Sequence, residues 1–525
     1  MKKFTKTISL LMILAMILVS LSGCTKTGTS SFTESWIEWE EEVLVEDAGN
    51  TNSTENSNST ENSNSTENSN STENSSATNS DTKKPTNSKT ENPADTSSNT
   101  QKVEAVADER YFPSDWLKAR EQYEKNNPPY NVPSKLKGTT VTFATWMDHT
   151  KTEGAHAWKT FEEQTGIKIK WVNIPQSEYV PKLATMMASQ QSPDVFVENN
   201  EFFPQTLEIA QPLNKISTID INDPIWDQSV IKASTYGKNF YFINTKYSIW
   251  NGGDSVYYNK KAFEDNGLLT PQDYIDAGQW TMDNLIKMMT EFKALNSSYA
   301  GGNVVPSYLT SALGSSIVYQ KNGKFVSGIN DSAFTEGFRI YNKMKEAKLL
   351  GGTEKGFMDG TCGIYIVGTM GLKRTGVFAK MDPDNLGVAP IPSIDGKSTP
   401  YTSAIFRSYG ICRGAKNPEG AAYFLRYFLD PFNYDYDTVF MNEELRDYFV
   451  NNISGISADK KFFDYSGCSA VMFGYASLER NTWRNALANA EPAQFNVELQ
   501  KISNEVNAGV KKCNQIIDKV IAQDK

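Results

Sequence analysis

The chain has 525 residues, a net charge of −10, 12% aromatic residues and only two histidines. That balance gives no reason to expect a nucleic-acid partner, and His149 and His156, with no Cys-x-x-Cys spacing anywhere, offer little to hold a metal. The part with globular composition, roughly 420 residues, is too long for one core and enough for two lobes of ordinary domain size.

Lys2, Lys3 and Lys6 precede an apolar run over 8–21, which is too short to span a bilayer and has the flanks of a secretory leader. Residues 21–24 read Leu-Ser-Gly-Cys, which resembles a bacterial lipobox. Residues 1–23 are therefore expected to be a lipoprotein signal peptide, and Cys24 to carry diacylglycerol and become the first residue; two acyl chains anchor stably where one would be marginal. From 24 to 106 the chain cannot build a core: 52–75 repeats NSTENS, and 81–100 continues in Asn, Ser, Thr, Lys, Glu and Pro. A disordered tether follows from that composition, with an end-to-end reach on the order of 50 Å. Trp36, Ile37, Trp39, Val43 and Leu44 interrupt it, either as a membrane-proximal sticky patch or as an apolar cluster in coil.

Residues 108–126 read as a lead-in helix with Trp116 and Tyr123 on its apolar side, ended by Pro128, Pro129 and Pro133. The next sixty residues organise the body. VTFATW at 141–146 has the period-two pattern of a strand, Ala157, Trp158 and Phe161 lie on a helix closed by Gly166, and Ile167, Ile169 and Trp171 alternate with lysines. Ser177 opens a helix bearing Tyr179, Val180, Leu183 and Met187, and Ser192-Pro193-Asp194 breaks it before a strand at 195–197. Strand, helix, strand, helix, strand implies parallel pairing through right-handed crossovers, the opening of a doubly wound sheet. Ligands bind beyond the carboxyl ends of such strands, which singles out Trp146, Asp148, Glu198, Asn199 and Asn200.

Farther along, 236–243 reads as a hairpin around Gly237, and WNGGDSVYYN at 250–259 as a glycine-freed crossing followed by a strand, a hinge or an ordinary glycine turn. Thr281 and Asn330 or Asp331 cap helices whose apolar stripes are core. GIYIV at 363–367 and 386–392 are strands, Asn417-Pro418-Glu419 opens another helix, and 495–521 is the last. Cys362, Cys412, Cys468 and Cys513 are even in number in an exported chain, so disulfides and buried free thiols both remain open.

FEEQTGIKIKWV, SPDVFVENN, VYYNKKAFEDNGL, GTCGIYIVGTMGL, LGVAPIP and GICRGAKNPEGAAYFLRYFLDP occur in this order. Together they resemble the family 1 extracellular solute-binding proteins, the receptor subunits of sugar importers. The resemblance implies an α/β, two-lobed periplasmic-binding-protein-like fold of type II, each lobe a sheet flanked by helices, with a multi-strand hinge. Lobe 1 would comprise 107–254 plus 401–435, and lobe 2 would comprise 255–400 plus 436–525. It also implies a monomer without cofactor, at the extracellular face of a Gram-positive type membrane, that delivers a carbohydrate, an oligosaccharide in the first instance, to the permease of an importer made of two membrane-spanning permease subunits and an ATPase. Met370 stands where relatives carry an aromatic platform, and Trp483 and Arg484 where they often place another.

Sugars present apolar C–H faces rimmed by hydroxyls, so a sugar site needs aromatic faces and planar polar groups. Trp146, Trp250, Tyr258, Tyr475 and Trp483 are candidate platforms, with Met370 beside them; Asp148, Glu198, Asn199, Asn251, Asp254 and Arg407 are candidate polar partners. Peptides, polyols or sugar phosphates are alternative solutes. Glycan hydrolysis is the competing class, since two carboxylates suffice for it, but no spacing singles out a pair and neither histidine lies near a GxSxG nucleophile.

Overall fold

The computed structural model describes residues 112–147, 157–200, 202–249, 253–404, 406–433, 436–465 and 482–524. The leader, Cys24 and the tether lie outside the described residues, as do Asp148, His149, His156, Trp250, Asn251, Gly252, Cys468 and Tyr475.

Among the described residues, two four-stranded sheets take eight strands: β1 (Thr140–Thr145), β2 (Lys168–Asn173), β3 (Val195–Glu198), β4 (Ser255–Asn259), β5 (Ala300–Asn303), β6 (Cys362–Val367), β7 (Leu386–Pro390) and β8 (Ser408–Ile411). The principal helices are α1 (Ser114–Asn126), α2 (Ala157–Thr165), α3 (Tyr179–Ala188), α4 (Met282–Leu295), α5 (Ser332–Glu346), α6 (Pro418–Phe428) and α7 (Phe495–Gln523). The first sheet runs β8-β3-β1-β2, with β1 parallel to both neighbours, as the alternation of strand and helix implies, and β8 antiparallel to β3. In the second, β7-β4-β6-β5, strand β4 runs against β6 and β7, while β5 is parallel to β6.

Local chemistry sets the helix ends. Gly166 takes φ +72° after α2, a conformation that costs glycine nothing. The Thr281 hydroxyl accepts from the Asn284 N–H at 3.2 Å to start α4, and Asn417 accepts from Gly420 N–H at 3.0 Å to start α6. Asp331 stands at the start of α5 but makes no cap; its carboxylate accepts instead from Ser315 Oγ at 2.9 Å and Tyr319 Oη at 2.8 Å.

One face of the first sheet is covered by α2 and α6. Phe143 on β1 meets the rings of Trp171, Phe424 and Phe428 at 5.1, 5.8 and 5.7 Å, and burying each such side chain contributes about 1.5–3 kcal/mol. The second sheet packs on α4, and its Gly363 is so close to Phe292 that a Cβ there would lie 2.7 Å from the ring.

Helix α1 docks on the first sheet's helices through charge. Arg426 bonds Asp223, Asp430 at 3.1 Å and Glu124 at 2.7 Å, while Arg120 bonds Asp430 at 2.6 Å and Glu124 at 2.9 Å beneath the ring of Phe432. The long α7 joins two regions. Its Asn514 bonds both backbone groups of Phe325 at 2.9 Å, in a hairpin turning at Asn322-Gly323. Beyond the helix, Asp524 pairs with Arg413 at 2.7 and 2.8 Å and accepts from Tyr241 at 2.7 Å.

The chain passes between the sheets near Gly253. A Cβ built there would lie 2.2 Å from Thr402 Cγ2 and 3.5 Å from Ile453 Cγ2, so three segments converge with no space for a side chain. Cys362, Cys412 and Cys513 are buried free thiols, which resolves the cysteine question for these three in favour of the thiol reading.

Candidate functional site

At the carboxyl end of β1, Trp146 is 7% exposed. Its indole stands edge-on to Tyr179 at 4.8 Å and to Phe202 at 5.4 Å. Tyr179 opens α3, and its hydroxyl lies between two strand ends, donating to Ala144 O at 2.7 Å and accepting from Val197 N at 2.9 Å. There a side chain ties β1 to β3 at the end of their ladder, whose last pair is Ala144 with Phe196. Burial pushes the phenol far up, so it remains protonated.

At the end of β3, Glu198 is fully buried and faces Ser408 across the antiparallel pair. No described residue hydrogen-bonds either carboxyl oxygen; the Thr206 hydroxyl and the Asn199 amide face it without reaching bonding geometry. Burial raises its pKa well above the carboxylate range, because the charged form would lose its hydration in the interior. Asn199 is buried and accepts from its neighbour's N–H at 3.0 Å, while Asn200 donates to Asp464 O at 3.3 Å. Arg407, also buried, precedes Ser408, and its carbonyl accepts from Asn244 Nδ2 at 2.8 Å.

The second sheet contributes from its own strand ends. Asp254 immediately precedes β4, and its Oδ1 would lie 3.9 Å from a Cβ on Gly368, just past β6. Tyr257 Oη donates to Gly368 O at 3.0 Å, and Thr369 Oγ1 donates to Ile249 O at 3.2 Å. Met370 follows, half-buried, its carbonyl bonded by Val377 N at 3.2 Å.

Thus Trp146, Glu198, Asn199 and Arg407 gather at ends of the first sheet's strands, and Asp254 and Met370 at ends of the second's. Two candidates lie elsewhere. Tyr258 is in the second core against Phe263, its hydroxyl raised to about 12 by burial, toward the opposite end of β4 from Ser255. A cavity of about 1150 Å³ opens at that opposite end, beside Asn259, Asp265, Asn303, Glu354 and Lys380. Trp483 is buried on the helix Thr482–Asn489 and donates from Nε1 to Glu505 of α7 at 3.1 Å. Sequence reasoning placed Tyr179 on the apolar stripe of its helix and missed the work of its hydroxyl. A tyrosine instead of phenylalanine at the first turn is the only sign of it. Among the described residues no three His, Cys, Asp or Glu side chains cluster as metal ligands, and no helix is long and apolar enough to cross a membrane.

Residues 138–433, more than half of the chain, match the family described as bacterial extracellular solute-binding protein. The chain belongs to this family. No curated protein matches the sequence. Among solved structures, this solute-binding protein is similar to the galacto-N-biose-/lacto-N-biose I-binding protein of the ABC transporter from Bifidobacterium longum, at 14% identity and TM-score 0.53, over 72% of this chain and 98% of that one. It is similar to the sugar-binding protein MalE from Xanthomonas citri at 15% identity and TM-score 0.51, over 73% and 98%. The extracellular solute-binding protein from Staphylococcus aureus, solved in complex with maltose, matches at 14% identity and TM-score 0.50, over 74% and 99%. At these identities the likeness establishes the fold: two-lobed, α/β, of the type II periplasmic-binding-protein kind.

Proposed function

We propose that the chain is the receptor lipoprotein of an ABC importer and captures a carbohydrate, in the first instance an oligosaccharide, between its lobes without altering it. The observation that supports the reading is the placement of the indole of Trp146 and the amide of Asn199 just beyond the carboxyl ends of β1 and β3, with Arg407 before the neighbouring β8 and Asp254 at a strand end of the second sheet, in an α/β fold that binds ligands at such ends. The relatives that bind lacto-N-biose and maltose support a sugar as the solute. On this reading Trp146 supplies aromatic surface and Met370 apolar surface to the sugar, and Trp250, Asp148 and Asn251, outside the described residues, are further ligand contacts. Lobe 1 is 107–254 plus 401–435, lobe 2 is 255–400 plus 436–525, and closure creates a surface that only the loaded form offers to the permease. Cys24 ties the protein to the outer face of the membrane, and the tether keeps its effective concentration near the permease high. It acts as a monomer and without a cofactor.

A thermal-shift screen over mono- and oligosaccharides, polyols and peptides tests this, with each hit assayed for products. A cognate sugar at a hundredfold its Kd stabilises the fold by about 2.7 kcal/mol, and Trp146→Ala weakens that shift. Hits confined to peptides, or steady cleavage of a hit, would overturn the sugar-receptor reading.

A further inference from the structure

Away from the strand-end site, a cavity of about 380 Å³ lies between α1, the segment 222–228, Lys246 and the segment 455–461. Its walls include two tryptophans whose indole N–H groups are already committed, Trp116 to Pro224 O at 2.8 Å and Trp226 to Asp220 O at 3.0 Å. They contribute ring surface and hold the wall rigid. Backbone pairing sets the charged groups beside one another: Asp227 N–H donates to Asn244 O and Lys246 N–H to Ile225 O, each at 2.8 Å.

The cavity wall carries two carboxylates, Asp223 and Asp227, and two ammonium groups, Lys246 and Lys461, and both carboxylates are already engaged. Asp227 is spent, one oxygen capping the helix Gln228–Ala233 through Ser229 N at 2.9 Å and the other on Lys461 Nζ at 2.6 Å, both side chains 5% exposed or less. Asp223 is spent on Arg426. Lys246, half-buried, has no ion-pair partner among the described residues; the ring of Tyr247 lies 5.6 Å from its ammonium, and Asp115 acts on it only at long range from an exposed position. Burial first, and then the neighbouring Lys461 charge, disfavour its protonated form; Asp227 and Asp115 act in the opposite sense without forming an ion pair with it.

We propose that this cavity is a second ligand site, for a small anion bearing a carboxylate or a phosphate, with Lys246 as its charge partner and Trp116 and Trp226 as its walls. A volume of this order suits a small molecule, and a partly desolvated ammonium gives a charge-assisted hydrogen bond to such an oxyanion. The site does not depend on which solute the strand-end site takes.

The test uses the full chain, with inorganic phosphate and acetate as probes against chloride at matched ionic strength, read by calorimetric titration and thermal shift. Saturable binding of either probe is expected, weakened about tenfold or more by Lys246→Gln, the worth of one charge-assisted hydrogen bond, and retained by Lys246→Arg. Phosphate alone, or both probes, distinguishes a phosphate source from a general oxyanion. An unchanged melting temperature of Lys246→Gln in chloride shows that the variant is folded. No binding beyond chloride, or equal binding by wild type and Lys246→Gln, overturns the proposal.

Discussion

Replacing Arg426 by methionine keeps an apolar stem but removes the guanidinium that three carboxylates share. Arg120 still holds Asp430 and Glu124, so the group left stranded is Asp223, whose side chain is 6% exposed and keeps only a backbone bond from Ile225 N at 3.1 Å. Removing one partner of a buried pair costs about 3–5 kcal/mol because the surviving charge stays desolvated. The pH dependence follows from Asp223. Burial raises its folded pKa while Arg426 lowers it, so losing Arg426 raises it further. The folded state then binds a proton that the unfolded state releases, and stability falls as pH rises past the ordinary carboxylate range. In urea unfolding followed by circular dichroism, Arg426→Met is therefore expected to lose about 3–5 kcal/mol at pH 7.5 and to recover much of it toward pH 5. Arg426→Met with Asp223→Asn should recover most of the loss at both pH values. A deficit independent of pH, or a double variant no better than the single one, would refute the argument that stranded charge is the cause.

Tyr179→Phe leaves Ala144 O and Val197 N buried without their partner, and is expected to cost about 1–3 kcal/mol and to speed hydrogen exchange at the Val197 amide; a cost near zero would mean that the strands close on each other directly. Asp524→Ala removes the Arg413 pair and the Tyr241 bond, with an expected loss of about 1.5–3 kcal/mol at neutral pH. The Arg413 hydrogen bonds hold the Asp524 carboxyl below the usual range, so this stability is present above the unfolded pKa of about 3.9 and is lost as pH falls through the folded value. The gap between wild type and Asp524→Ala should close in acid, and a gap that widens there would count against the pair.

Much of the first sheet is legible because its strands carry their own signal: VTFATW alternates, Gly166 ends a helix, and Ser192-Pro193-Asp194 breaks one. Strand β5 is different. Ala300-Gly301-Gly302-Asn303 has no β-branched or aromatic residue, and it pairs because the sheet needs thin backbone there: a Cβ at Gly301 would lie 2.7 Å from Met289 O, and one at Gly302 2.9 Å from Ile364 O. The hairpin Val318–Lys321 to Lys324–Ser327 could have been placed from Asn322-Gly323, where both φ values are positive. At the candidate site, the strand-end rule locates Trp146, Glu198 and Asn199. It does not find Thr369 bonding a carbonyl 120 residues away or Asn200 bonding one 264 away. Such contacts are set by the tertiary fold and leave no local pattern. Tyr258 shows the same limit, since a run of strand residues does not say which end of an antiparallel strand faces the partner sheet.

The tight convergence at Gly253 constrains how the two halves of this solute-binding protein could move. Three chain segments packed at one spot, with a neighbouring methyl 2.2 Å from where a side chain would begin, leave little freedom to slide there. A relative motion of the lobes would then pivot near that point. Displacement grows with distance from the pivot, so a few degrees of backbone adjustment at the crossing become the largest travel at the outer rims.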